Sequence, residues 1–212
     1  VQKDIQSQRL AAIRHLSELH RRGREDDSRL EARIAAYELA FRMQSEAPEA
    51  VDLSRESQST LDAYGVDKDP TDEFGRNCLV ARRLVQRGVR FIQIYHNNWD
   101  HHGNVAGRMP SQCKDVDQPC AALIEDLKQR GMFDDTLIIW GGEFGRTIYT
   151  QGKLSMTNYG RDHHPRCFSM WMAGGGAKGG TIYGETDDFS YNIVNKPVHI
   201  RDFHATVMHL LG

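Results

Sequence analysis

Three short clusters of side chains could carry chemistry, and each lies next to a segment predicted to be a β-strand. The first cluster contains Asp100 and His102, which follow the apolar segment 89–95. A carboxylate oxygen and an imidazole nitrogen at this spacing could reach one ion and would suit zinc or a harder divalent metal. A hydrogen-bonded turn with surface histidines is the alternative for this cluster taken alone.

The second cluster contains Glu143 and Arg146 in the glycine-rich segment 141–147, directly after the short apolar segment 136–140. Glu143 could bind a metal ion. Arg146 presents a planar fork of N–H donors that matches the oxygens of phosphate or sulfate. An ion pair between these two side chains is an equally good explanation.

The third cluster contains His163 and His164, which precede the apolar segment 168–173. Neighbouring side chains in extended backbone point to opposite sides, so we expect one of the two histidines to reach a given ion. The other could orient a ligand or carry a proton. Ligands of open parallel sheets bind beyond the strand ends, so three clusters at successive strands favour one shared site.

Helical and strand patterns alternate in the second part of the chain and would position these clusters. Apolar spacing predicts helices over 70–87, 116–130 and 201–211. The β-branched and aromatic segments 89–95, 136–140 and 168–173 are typical of strands. This alternation predicts an α/β domain with a parallel sheet over residues 70–212.

The first part of the chain is predicted to be helical. Ile13, Leu16 and Leu19 recur at helical spacing, and residues 1–50 are interpreted as a helical hairpin. We expect the hairpin to pack on the main domain or on a part of the protein outside this chain. The polar segment 51–69 is interpreted as a flexible or irregular linker.

Composition excludes some partner classes. The chain has 212 residues with 27 Lys and Arg against 29 Asp and Glu, which disfavours binding of nucleic acid. No apolar run approaches the roughly 18 residues of a membrane span, so a membrane partner is not expected.

Several of these motifs together resemble a known superfamily. The segments 94–102, 137–146, 160–165, 168–180 and 201–212 resemble, in order, the C-terminal half of the alkaline-phosphatase and sulfatase superfamily. The final helix carries Asp202, Thr206 and the ending Leu210, Leu211 and Gly212, as in that superfamily. The clusters most closely resemble a bacterial sulfatase-like family of unknown function within it.

The resemblance implies a fold, a metal and roles for the clustered residues. The fold would be a parallel-sheet alkaline-phosphatase-like α/β domain, represented by its C-terminal half, with the helical hairpin in front. The cofactor would be a divalent metal, with zinc favoured and calcium or manganese as alternatives. The implied metal ligands are Asp100, His102, Glu143 and His163. The implied catalytic residues are His164, Arg146 and Arg161, with the arginines holding substrate oxygens and the histidine protonating the leaving group.

The function implied is metal-dependent hydrolysis of a small anionic ester, a phosphate or a sulfate, by an exported or periplasmic protein. The nucleophile would belong to an N-terminal half outside this chain, so we expect the chain alone to be inactive. A non-catalytic binding or scaffold protein with a degenerate metal site is the alternative, because Phe144 stands where the superfamily has a histidine ligand. A histidine-rich metal-binding module without turnover is a third reading.

Overall fold

The computed structural model describes residues 3–22, 28–150 and 154–212. The chain divides into two compact units, Val1–Asp52 and Leu53–Gly212. The division falls close to residue 50, where the sequence analysis placed the end of the helical hairpin.

The first unit is built from two helices, α1 (Lys3–Arg21) and α2 (Ser28–Val51). Arg14 on α1 donates a hydrogen bond through Nε to Glu38 on α2, at 2.7 Å. The apolar side chains of Ile13, Leu16 and Leu19 are exposed. Both helices lie in the segment that the sequence predicted to be helical, apart from the last residue of α2.

The second unit contains four further α-helices and six short strands in its described residues. The helices are α3 (Gln58–Tyr64), α4 (Asp72–Gln86), α5 (Val105–Gln129) and α6 (Ile200–Leu211), with a 3-10 helix at Leu53–Arg55. Among the helices that the structure describes, none is long and apolar enough to cross a membrane.

Most of the segment 51–69, predicted to be a linker, instead belongs to the second unit, which begins at Leu53. It contains the 3-10 helix and α3, whose N-cap Ser57 accepts a hydrogen bond from the Thr60 backbone N–H at 3.2 Å. Tyr64 and Val66 are buried and pack in one cluster with Leu79, and Leu61 packs against it. The polar average composition of the segment conceals these core contacts.

Helices α4 and α5 complete this core, and both differ from their predicted bounds. Helix α4 begins at Asp72, two residues after the predicted start. Helix α5 begins at Val105, eleven residues before the predicted start. The prediction for α5 followed the apolar stripe, whereas the first turns of α5 are mostly exposed and lack such a stripe.

A buried ionic network joins the 3-10 helix segment, α4 and α5. Arg82 is 2% exposed and contacts Glu56 at 2.6 Å and Asp126 at 2.9 Å, and Arg83 also pairs with Glu56. The Tyr64 hydroxyl donates to Asp126 at 3.1 Å. Burial by itself would raise the pKa of Glu56, but hydrogen bonds from Arg83 and Arg82 outweigh it and hold the pKa below its ordinary value.

The strands form three separate two-stranded sheets. They are β1 (Ile138–Trp140), β2 (Gly145–Arg146), β3 (His163–His164), β4 (Trp171–Ala173), β5 (Glu185–Thr186) and β6 (Ile193–Asn195). The pairs β1 with β4, β2 with β3, and β5 with β6 are all antiparallel.

The expected parallel arrangement of the strands near 136–140 and 168–173 differs from the observed one. Ile138 pairs with Ala173 and Trp140 with Trp171, in antiparallel register. A parallel pair needs a crossover connection, usually a helix, and the described residues between these strands form no helix. The described part of the chain contains no parallel pair of strands. The parallel-sheet α/β fold class stays a prediction.

The segment 89–95 was expected to be a strand and is extended backbone without a strand partner among the described residues. Ile92 and Ile94 are half-buried, whereas Phe91 and Tyr95 are exposed. The alternation is that of a strand with one covered face. Ile94 packs against the core of the second unit, which holds the segment in place without a ladder of hydrogen bonds.

Candidate metal centre

The loop that carries Asp100 and His102 runs from the extended segment 89–95 to the start of α5. It is fastened to a second loop, residues 158–161, by three hydrogen bonds. The Asn104 backbone N–H donates to Asn158 Oδ1 at 2.9 Å, and the Val105 N–H donates to the Tyr159 carbonyl at 2.9 Å. The Arg161 N–H donates to the His101 carbonyl, also at 2.9 Å.

Gly160 allows the two loops to approach this closely. A Cβ atom at this position would lie 2.1 Å from the carbonyl carbon of His102, and real Cβ contacts are not that short. A side chain would therefore force the loops apart. The glycine thus places His102 against the chain that leads to β3.

The pairing of β2 with β3 brings the second and third clusters together. Arg146 lies opposite His163 in the antiparallel register, and Gly145 lies opposite His164. The Asp162 N–H donates to Thr147 Oγ1 at 3.0 Å, and the Thr147 N–H donates to the Asp162 carbonyl at 2.9 Å. These two bonds join Asp162 and Thr147, the residues next to the paired strands, and thereby extend the contact between the two chain segments. Thr147 is buried.

Three side chains converge where these loops meet. His102 Nε2 lies 2.9 Å from Asp100 Oδ1, and His163 Nε2 lies 3.0 Å from the same oxygen. The two Nε2 atoms are 3.2 Å apart. All three side chains are partly open to solvent, so a small ion or molecule could reach them.

Arg146 borders this cluster and holds two carboxylates. Its Nη1 donates to Asp100 Oδ1, and its Nη2 donates to Glu143 Oε1 at 2.7 Å. The hydrogen bond from His163, together with the hydrogen bond and positive charge of Arg146, lowers the pKa of Asp100 to about 2. The Asp100 carboxyl group is therefore ionised throughout the neutral pH range.

The donor set fits a divalent cation. Ligand atoms bound to zinc at about 2.0–2.1 Å in tetrahedral geometry lie about 3.3 Å apart, close to the separations observed here. Asp100, His102 and His163 are a group of potential ligands whose donor atoms all lie within 4.8 Å of one another. One carboxylate and two imidazoles, open to solvent on one side, leave coordination positions free, as in catalytic zinc sites.

Three residues predicted for the site have other partners. Glu143 lies beside the cluster, bound to Arg146, and is outside the group of three ligand atoms. His164 is buried and donates through Nε2 to the Tyr191 carbonyl at 2.5 Å, with its ring stacked on Tyr191. Arg161 donates to the Ile148 carbonyl at 2.7 Å.

The alternation of β3 explains the different positions of the two histidines. His163 is exposed toward the cluster, and His164 is buried on the other side. Of the two histidines, His163 lies with Asp100 and His102, and its role as a metal ligand stays a prediction. The role predicted for His164 as a proton carrier at this site does not agree with its bond to Tyr191.

Two neighbours of the cluster were not predicted as parts of it. The Phe144 ring packs against the His163 ring at 4.9 Å between centroids. His101, between two of the clustered residues, is 2% exposed, and both of its ring nitrogens lack a hydrogen-bond partner among the described residues. No spacing signal marks His101, because its burial depends on contacts with distant segments.

Comparison with known protein families assigns the chain to one family. It belongs to the family described as "Protein of unknown function (DUF1501)", which matches residues 1–212. No curated protein and no solved structure matches the chain.

This assignment corrects the resemblance stated from the sequence. The chain was expected to be the C-terminal half of an alkaline-phosphatase or sulfatase protein, and that expectation was wrong. The family match extends over residues 1–212, and no sulfatase or alkaline-phosphatase family supports the resemblance. Short motifs such as Asp-x-His after an apolar segment meet the needs of many metal and hydrogen-bonding sites, so they do not define a superfamily.

Proposed function

We propose that the protein binds a divalent metal ion, zinc in first place, through Asp100, His102 and His163. The observation that carries the proposal is the convergence of one carboxylate oxygen and two imidazole nitrogens within 4.8 Å of one another. Their spacing matches that of ligands around a single ion, and they come from two loops fastened to each other. Calcium and manganese, which prefer more oxygen ligands, are alternatives.

The proposed reaction is hydrolysis of a small anionic ester, a phosphate or a sulfate. A divalent ion at this position would supply a Lewis acid and a more acidic bound water. Arg146 uses two of its five N–H groups on Asp100 and Glu143, so further donors remain for the oxygens of an anionic substrate. Glu143 acts as a positioning residue, since its carboxylate holds the guanidinium beside the cluster.

A non-catalytic metal-binding or scaffold protein is the second candidate. One observation favours it: the Phe144 ring lies against His163 and 5.8 Å from the Arg146 guanidinium carbon. An apolar ring there occupies space in which a second ligand set or a proton donor would be useful for hydrolysis. This candidate predicts metal binding without turnover.

The first test is metal binding. We expect the purified protein to bind one zinc ion per chain in calorimetric titration. Asp100→Asn, His102→Gln and His163→Gln should each weaken binding by more than the about 10–100-fold that loss of an outer hydrogen-bond partner costs. The exposed residues Asp134 and His209 provide matched controls, because Asp134→Asn and His209→Gln change the same chemical groups away from the cluster.

The second test is turnover. Release of nitrophenol from p-nitrophenyl phosphate or sulfate should require the metal, stop with a chelator, and fall by about 10²–10³ in Arg146→Met. Metal binding without any turnover would favour the non-catalytic candidate. Zinc affinity equal in the wild type and in all three ligand variants would overturn the proposed metal centre.

A further inference from the structure

A pocket of about 170 Å³ lies beside the start of α4, away from the three clustered ligand residues. Its walls come from the beginning of α4, the extended residues 95–98 and the first half of α5. An engineered apolar cavity of about 150 Å³ holds a benzene molecule, so this space suits a ligand of about five to eight non-hydrogen atoms.

A hydrogen-bonded pair of side chains, His96 and Trp99, lies beside one carboxylate of the pocket. The Trp99 indole N–H donates to His96 Nδ1 at 2.9 Å. His96 Nε2 lies 3.5 Å from Asp115 Oδ2. The pair holds the imidazole next to Asp115.

Two carboxylates then leave the pocket negatively charged. Glu73 and Asp115 both line it, and its lining residues, all in the described part of the chain, include no Lys or Arg. The N-terminus of α4 adds a partial positive charge of about half a unit. The charges of the two lining carboxylates, Glu73 and Asp115, exceed this partial charge.

The remaining walls suit an organic cation that carries N–H donors. The aromatic side chains of Phe74 and Tyr95 also line the pocket, and aromatic rings attract a positive charge. The Oε1 atom of Gln112, a residue that also lines the pocket, has no hydrogen-bond partner among the described residues and is enclosed. A buried amide oxygen without a donor is costly, and rotation of the amide toward the pocket would let a ligand N–H satisfy it.

We propose that this pocket binds a small organic cation with N–H donors, such as a primary ammonium or a guanidinium group. The carboxylates of Glu73 and Asp115 neutralise its charge, Gln112 Oε1 accepts one of its hydrogen bonds, and Phe74 and Tyr95 cover its apolar part. This site is independent of the proposed metal centre, since the two share no residue.

The test uses three probes of similar size and different chemistry in the presence of a chelator. We expect n-butylammonium to shift the amide NMR signals of residues 73–77, 95–98 and 112–115 in a saturable manner. Trimethylbutylammonium keeps the charge but has no N–H group, and 1-butanol has neither. Both should bind at least about threefold more weakly than butylammonium.

Variants of the pocket give the second arm. Glu73→Gln and Asp115→Asn should each weaken butylammonium binding about threefold or more, and the double variant about tenfold. Asp117→Asn, on the same helix but outside the pocket, should leave the affinity unchanged. Glu73 is exposed, so Glu73→Gln reports on binding even if Asp115→Asn unfolds.

The outcomes separate this site from the metal centre. Equal binding of butylammonium and 1-butanol, or unchanged affinity in Glu73→Gln, would overturn the cation site. Binding that persists in His102→Gln supports it as a separate site, whatever that variant does to zinc. Loss of butylammonium binding in His102→Gln with the fold intact would show that the probe binds at the cluster instead.

Discussion

His101 and His164 are both buried, but their surroundings differ. His164 donates to the Tyr191 carbonyl and stacks on the Tyr191 ring at 4.5 Å. His101 is equally enclosed, and neither of its ring nitrogens has a hydrogen-bond partner in the part of the chain described. The same residue type therefore stabilises the fold at one position and costs free energy at the other.

Replacing each of these histidines by leucine should have different effects on stability. His164→Leu leaves the Tyr191 carbonyl without its donor and should lower the free energy of unfolding by about 1–3 kcal/mol. His101→Leu removes an unpaired buried polar group and should not lower it. Urea denaturation followed by circular dichroism measures both. Equal destabilisation by the two variants would contradict this reading of His101.

Asp100, in the candidate metal centre, has a pKa well below its ordinary value. Its pKa of about 2 reflects the hydrogen bond from His163 first, and then the hydrogen bond and charge of Arg146. Removing either partner takes away a group that favours the ionised form. We expect His163→Leu and Arg146→Met each to raise the Asp100 pKa, measured by carboxyl-carbon NMR in metal-free protein. His209→Gln is the control, and a pKa that stays near 2 in both variants would refute the assigned cause.

At the scale of elements, short pieces of structure depend on a few long-range contacts. Strands β2 and β3 have two residues each, yet they place Arg146 beside His163. The loop at Gly160 approaches His102 so closely that a side chain does not fit. In the helical part, Glu56 joins the segment before α3 to Arg82 and Arg83 on α4.

The buried Glu56 pairs should contribute far more stability than an exposed pair. Glu56→Gln removes the carboxylate that the buried guanidinium groups of Arg82 and Arg83 share, although Arg82 keeps its contact with Asp126. This change should lower the free energy of unfolding by about 3 kcal/mol. Glu125→Gln breaks the exposed pair with Lys128, at 2.8 Å, and should cost less than about 1 kcal/mol. Similar losses in the two variants would argue against a stabilising role for the buried network.

The buried ion pairs of Glu56 also predict how stability depends on pH. The folded-state pKa of Glu56 lies below its ordinary value of 4.5, so its contribution is fully present above that value. The contribution is lost as the pH falls through the folded pKa. The stability of the wild type should therefore decrease more steeply than that of Glu56→Gln below about pH 4.5.

At the scale of the whole molecule, the core and the candidate sites belong to the unit Leu53–Gly212. Tyr64, Val66, Cys78, Leu79 and Ala122 form its buried cluster, and the clustered ligands and the cation pocket lie in the same unit. The chain as a whole is close to neutral, with a net charge of −2. Binding of small ligands is therefore expected to depend on local charge at each site.

A chain limited to residues 53–212 should fold and keep the metal centre. All side chains of the core cluster and of the ligand group are retained in it. We expect a cooperative thermal transition by circular dichroism and a zinc affinity within about threefold of that of the 212-residue protein. An unfolded fragment, or a zinc affinity lower by more than tenfold, would show that residues 1–52 are required for the second unit.

Local patterns in the sequence were sufficient for helices α4 and α6. Apolar spacing placed the start of α4 within two residues and the start of α6 within one. Helical periodicity is carried by residues near one another in the chain, which explains this agreement. The sequence analysis also singled out Asp100, His102 and His163, whose potential ligand atoms lie close together, and their role as metal ligands stays a prediction.

The pairing of strands, the burial of segments and the partners of side chains could be determined only from the folded chain. The segment 51–69 proved to be core, the segment 89–95 has no strand partner among the described residues, and β1 pairs antiparallel with β4. His164 binds Tyr191, although it was predicted as a catalytic residue, and Glu143 binds Arg146, although it was predicted as a metal ligand. Each of these outcomes depends on contacts between residues far apart in sequence, whose free energies outweigh the local preferences from which a sequence pattern is read.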